Sequence, residues 1–471
     1  MRSTTLKVLG GVVLVTAVVW VLVLGWWQAN DFQPGKLDLL LYLFFPPFAF
    51  VGGFLLLRAF IEHLKAPPRK EAPATEIKDD DPLASTSAKT SAAERMFSIS
   101  LIGTWLNCST GKTAGEVLEA VEAGVRPEPS NRQHDDDGFP VFLAEVKDLA
   151  VDQFSETLEV KNNLRTLLES PQVTRHLALI DSVLPEAVIY MRSLLDQAPT
   201  NARLRIEWLL PDYIETAHFP AMRIWLNNSH LSEIEQSRIE IKMTTIASEG
   251  EALKQIDDLV LLINREKLDN DLVLVIAATS TVEESSIQSL SIRKSLFSAN
   301  NQNAQIPGES AVALLFTSHK AAIDIGVDDA VAISRASHAI RDKSVDGPGR
   351  ISGTLIEHLA EQLLSAHALE ATGIQALLLD SDHRASRIGE VLIGLGAKFE
   401  HLDPIKDCLG IGIATGANPT TGSLLALACS REKVLMTVGP VLCISNQHDT
   451  ERAAILAMPF VAQPGTKTTS T

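Results

Sequence analysis

The apolar positions of residues 244–280 set out the plan of the chain. Ala252, Ile256, Leu259, Val260 and Ile263 recur at helical spacing, which predicts a buried amphipathic helix. Small residues, Ala247, Ser248 and Gly250, lead into it. A polar break at 264–271 follows, then the unbroken apolar run LVLVIAA at 272–278, a strand buried on both faces. The alternation extends in both directions. Strands are expected at 97–103, 204–210 and 308–317, with helices at 113–124 and across most of 160–197, and residues 239–245 lead into the central helix. Residues 222–226 read as a strand-like piece and 328–340 as a helix. Beyond them, helices are predicted at 355–371, 387–396 and 421–428, with strands at 374–379, 411–414, 434–438 and 441–444. Helix alternating with apolar strand defines a layered α/β fold, divided into a first half at 96–317 and a second at 318–463.

Two longer apolar runs precede this region. Residues 8–27, VLGGVVLVTAVVWVLVLGWW, and 39–57, LLLYLFFPPFAFVGGFLLL, carry no charge and are long enough to span a bilayer. They predict a two-helix transmembrane hairpin over residues 1–64, with Pro46 and Pro47 kinking the second span. A cleaved signal peptide fits poorly, because there is no small-x-small cleavage site and a second span follows at once. Arg2 and Lys7 lie before the first span, and Arg58, Lys65, Arg69 and Lys70 after the second. The connecting loop has only Lys36. Both ends, and the large domain with them, are therefore expected in the cytoplasm. Residues 65–95, rich in Pro, Ala, Ser and Thr, read as a disordered linker, and 464–471 as a loose tail.

A net charge of −17, from 41 basic and 58 acidic residues, argues against nucleic acid as the main partner. Cys108, Cys408, Cys429 and Cys443 show no CxxC spacing, so the residues imply no metal, and buried free thiols in a reducing compartment are expected. The GKT at 111–113 lacks the glycine that a phosphate loop needs at position 106, which is Leu106; Thr113 reads as a helix cap instead. No cofactor is implied.

The order SLIGTWLNCSTGKTAGEVLEAVEAGVRPEPS, GFPVFLAEVKDL, then the helix at 252–263, and GESAVALLFT resembles the thiolase-like beta-ketoacyl synthases phrase by phrase. That resemblance implies a layered αβαβα fold of two similar halves, with a nucleophilic cysteine at the head of the central helix. The corresponding position here is Ala247. The first histidine motif falls on DSDHRASRIGE, which puts His383 at the histidine and Glu390 near its acidic partner, with Arg384 crowding the site. The second falls on GIGIATGANPTTG, which puts Gly416 at the histidine and Ile411 near the lysine. Ser248 reads as a helix cap. The resemblance therefore implies the family's scaffold without its chemistry, and no catalytic residue is assigned.

Two functions follow as expectations. By its whole-chain architecture the sequence resembles a family of type VI secretion lipase adaptors. That implies a pseudoenzyme adaptor at the bacterial inner membrane, with a lipase effector and a secretion-spike protein as partners. The alternative is an acyl-transferring condensing enzyme of lipid or polyketide metabolism, with a displaced nucleophile, Cys408 or Cys429. The family's enzymes are commonly dimers, so the resemblance extends to a homodimer.

Overall fold

The computed structural model describes residues 20–21, 23–29, 35, 91–135, 137–160 and 162–460. Most of both apolar spans, the linker up to residue 90 and the tail from residue 461 lie outside them. Among the described residues no helix is long and apolar enough to cross a membrane. Residues 91–95, at the end of the expected linker, form a helical turn in which Glu94 pairs with Arg265.

Within the compact unit Thr86–Thr471, the first half runs β1 (Ser98–Cys108), α1 (Ala114–Glu122), a hairpin of β2 (Glu128–His134) and β3 (Pro140–Leu143), α2 (Val151–Glu159), α3 (Pro171–Gln197), β4 (Leu204–Pro211), α4 (Phe219–Ser229), β5 (Ile239–Ile246), α5 (Glu249–Glu266), β6 (Leu272–Ser280), α6 (Glu284–Ile292), β7 (Glu309–Thr317) and α7 (His319–Asp324). The second runs β8 (Val331–Ser334), β9 (Ser337–Ile340), α8 (Thr354–Ala366), β10 (Ala376–Leu379), α9 (Ala385–Leu395), β11 (Cys408–Gly410), α10 (Gly412–Thr415), α11 (Gly422–Thr437), β12 (Val441–Ser445) and β13 (Glu451–Pro459).

The main sheet has the order β11-β10-β12-β13-β8-β1-β7-β6-β4-β5. Counting each half's five main strands along the chain gives the same order twice: third, second, fourth, fifth, first. The directions repeat too. β4 is parallel to β5 and β6, as β10 is to β11 and β12, and the fifth strand of each half, β7 or β13, is antiparallel to both its main-sheet neighbours. Antiparallel pairing of β1 with β8 joins the halves. A duplication too weak to see in residue identities is plain in topology.

The central helices occupy equivalent places in the two halves: α5 lies between β5 and β6, and α11 between β11 and β12. They share one core with the inward faces of both sheet halves. α3 covers the outer face of the first half, packing Leu177, Ile180, Leu184 and Met191 near Ile206 and Trp208 of β4. α8 and α9 cover the second. The result is the expected layering of helix, sheet, helix, sheet, helix.

Several expectations are corrected. β1 does not stop at Gly103 but bulges there and continues to Cys108, with the Trp105 ring folded over the glycine. Residues 222–226 lie in α4, where Met222, Trp225 and Leu226 are buried at helical spacing. Residues 328–340 form β8 and β9 rather than a helix, because β1 and β13 offer them free edges. Residues 411–414 belong mostly to the helical turn α10, and the edge strand is β11 just before it. Residues 434–438 are the end of α11 rather than a strand: it is buried without interruption from Gly422 to Arg431, so its apolar run carries no period to read.

The two outer helices of the second half meet backbone to backbone. An added Cβ at Gly394 would stand 2.4 Å from the carbonyl oxygen of Gly353. Gly394→Ala is expected to lower stability by about 1–3 kcal/mol, read as a lower denaturant midpoint at unchanged slope. Gly373→Ala, at a glycine facing open space, is the control and should leave the midpoint in place.

Candidate functional site

Four segments meet where α5 and α11 begin: residues 246–250, 380–384 after β10, 416–423, and 445–451 after β12. Each is held by local chemistry. Ser248 caps α5, its hydroxyl accepting the Glu251 amide at 3.1 Å, while the Glu251 carboxylate accepts the Ala247 amide at 2.6 Å. This reciprocal arrangement is a capping box shifted by one residue. The Ser248 hydroxyl also donates to the Glu451 carboxylate. With 1% of its surface exposed, Ser248 is committed to the cap.

Ala247 stands immediately before that cap, at the head of the central helix as expected. It is exposed on the wall of a cavity of about 320 Å³, with Tyr213, Ser289, Arg293 and Thr420 among the other lining residues. Gly416 lies beside the same cavity through its neighbour Ala417. Its φ is +70°, and an added Cβ would stand 2.9 Å from the Ile306 carbonyl oxygen, so no side chain fits there. Ala247 thus lines the cavity, and Gly416 stands one residue before its lining member Ala417.

His383 and Glu390 are not among its lining residues. The His383 Nε2 lies 3.1 Å from the Gln302 carbonyl, and its ring meets Phe297 edge-on at 5.0 Å. Glu390 is fully buried, paired with Arg452 at 2.8 Å and with Arg341. Arg384 does not crowd the cavity: its Nε binds both Asp382 oxygens, at 2.9 and 3.0 Å.

Behind the helix ends lies a buried polar cluster. Asp380 accepts the Ser445 hydroxyl at 2.5 Å and the amides of Asn446 and Gln447 at 2.7 and 3.1 Å. Arg384 and Arg387 both donate to the Gln447 carbonyl. Glu249, in the first turn of α5, points into the same interior. Burial, and then the Asp380 charge, hold its carboxyl well above the usual range. Burial also lifts Asp380, to about 6. Among the described residues no group of three or more His, Cys, Asp and Glu side chains is placed to hold a metal. Asp380 and Asp382 lie in the DSDH phrase read for His383, but nothing there, at Glu249 or at Gln447 marked the four as one cluster, since only the meeting of two helix ends with two strand ends unites them.

The thiols are shifted away from reactivity. Burial pushes Cys408 up to about 11 and Cys443 up to about 12, and raises Cys108 and Cys429 as well. Cys429 sits in the core of α11. A nucleophilic cysteine needs the opposite shift.

No protein-family model matches the chain, and no curated protein matches it. Solved structures do. A ketosynthase from module 6 of the bacillaene synthase of Bacillus subtilis aligns over 78% of this chain and 72% of its own, with a TM-score of 0.54 at 14% identity. A ketosynthase in complex with its chain length factor from Xenorhabdus doucetiae aligns over 77% and 98%, at 0.52 and 12%. A type II polyketide ketosynthase complexed with its acyl-carrier protein aligns over 77% and 99%, at 0.52 and 10%. The chain thus has the fold of the thiolase-like ketosynthases.

Breaking the Glu390–Arg452 pair from one side leaves a buried cation. Glu390→Leu is expected to cost about 3–5 kcal/mol, measured by chemical denaturation. The double variant Glu390→Leu/Arg452→Met should recover a large part of that loss.

Proposed function

We propose that the chain is a catalytically inactive thiolase-like protein that works as a binding scaffold. The observation that carries this reading is the head of α5, where Ala247 is followed by a serine held in a capping box. Alanine cannot carry an acyl group, and Gly416 has no room for a histidine. The raised thiols weigh against the alternative, an acyl-transferring enzyme using Cys408 or Cys429, which the likeness to ketosynthases favours at the level of fold alone.

A protein is the partner class we infer. Ketosynthases of this fold have been solved with an acyl-carrier protein or a chain length factor bound. The narrower partners, a lipase effector and a type VI secretion spike protein, rest on the whole-chain resemblance. So does anchoring at the inner membrane through the apolar hairpin, which would concentrate the domain where such partners assemble. A homodimer is part of the proposal. Among the described residues β5 ends the sheet with one side unpaired, and a two-fold axis at Ile241 would set Glu240 opposite Lys242 of a second copy.

Affinity capture of the full-length protein from its native host tests the partner. A lipase or spike protein in stoichiometric amount supports the reading, whereas an acyl-carrier protein joined through a thioester overturns it. Sedimentation of the full-length protein tests the dimer: Ile241→Arg is expected to convert dimer to monomer. A wild-type monomer at micromolar concentration contradicts the pairing.

A further inference from the structure

The junction of the two halves contains more buried acid than its cations neutralise. Asp382 is answered by Arg384. Asp380 is saturated by one hydroxyl and two amide donors. Among the described residues no side chain donates a hydrogen bond to the Glu249 carboxyl, toward which its own backbone amide turns. Facing it are Asp380, Asp382 and Arg384 from the end of β10, and Gln447 from the turn after β12. Gly422 and Ser423 approach from α11, with the Ser423 hydroxyl donating to the Glu249 backbone carbonyl at 2.8 Å. From β13, Glu451 packs against Gly250 and Arg452 acts on Asp380. On its own helix, Glu251 is turned back to Ala247.

One polar atom in this space has an unmet need. Gln447 is 3% exposed, and its Oε1 is buried without a hydrogen-bond donor. Its amide orientation is set, because Nε2 donates to Asp382 at 3.3 Å. A Cβ added to Gly422 would stand 3.3 Å from Gln447 Oε1, 3.4 Å from Glu249 Cγ and 3.7 Å from Asp380 Cβ. The three side chains converge on one glycine, with two carboxyls and an unanswered carbonyl oxygen between the halves.

We propose that Glu249 is the proton-holding member of a latch between the two halves, its neutral carboxyl donating an O–H hydrogen bond to Oε1 of Gln447. The proton satisfies the orphaned oxygen and removes the repulsion from Asp380. Its loss leaves two carboxylates in one buried space and pushes on the first turn of α5. Because Ala247 lies two residues away on the wall of the 320 Å³ cavity, the latch also sets the shape of that wall. This inference does not depend on the scaffold reading.

The sign follows from linkage. A carboxyl raised in the folded state stabilises the fold at low pH, and that contribution is lost as pH rises through its folded-state value. The test compares unfolding of full-length wild type and Glu249→Gln from mildly acidic to alkaline pH. Gln keeps a donor for Oε1 without titrating. Above the usual Glu range, the wild-type unfolding constant is expected to rise by up to about tenfold more per pH unit than the variant's, the signature of one proton. Parallel profiles overturn the proposal. So does a wild-type profile flattened by K⁺ or Na⁺ at constant ionic strength, which would make the occupant a metal cation. Should Glu249→Gln fail to fold, Gln447→Leu decides: removing the acceptor moves the falling limb to lower pH, and an unmoved limb overturns the assignment.

Discussion

The structure depends on burying the amino ends of two helices between its halves. α5 and α11 share one core between the sheet halves, and although α5 keeps an exposed face at Lys254, Asp258 and Arg265, both helices begin in the interior, where Gly250 and Gly422 are buried. Helix ends expose backbone groups that something must satisfy, and here both amino ends open into the same interior. The capping box at Ser248 answers that demand for α5, while the Ser423 hydroxyl donates from α11 to the Glu249 carbonyl and the Thr421 hydroxyl bonds that of Ser310. Apolar burial supplies the driving force for the layers, and the polar junction fixes how they meet.

In a fold of this kind the same junction offers a ready place for anion chemistry, because two helix dipoles point into it. This chain has filled it instead. Asp380, Asp382 and Glu249 occupy the interior, Arg384 neutralises Asp382, and the open space left beside Ala247 is lined mainly by hydroxyl, amide and small apolar groups, with Asp212 and Arg293 on its wall. A buried, internally bonded network specifies geometry more than it adds stability. That accords with the scaffold role proposed above.

Much of the fold was legible in the sequence, for identifiable reasons. The run at 272–278 and the helix at 252–263 have clear patterns, and they appear as β6 (two residues longer at its end) and α5 (three residues longer at each end). α11 was cut short because a helix buried all round has no apolar stripe. Residues 331–340 were misread because their strand state comes from partners at residues 98–101 and 451–459, invisible to any local window. The layered plan followed from the alternation of elements, whereas the repeated strand order needed coordinates. At the site, Ala247 lies on the cavity wall and Gly416 one residue before its lining member Ala417, whereas His383 and Glu390 do not line it: the loop after β10 turns His383 to Phe297, and α9 carries Glu390 to Arg452. Glu249 carried no signal in sequence that set it apart.

The central claim is that no residue of this chain carries an acyl group. Intact-mass measurement of the full-length protein, after incubation with acyl thioester donors at neutral and mildly alkaline pH, tests it most directly. The account predicts an unmodified mass, and no protection of any cysteine from alkylation after unfolding. A stable acyl adduct on one thiol would contradict it and make the chain an enzyme with a displaced nucleophile.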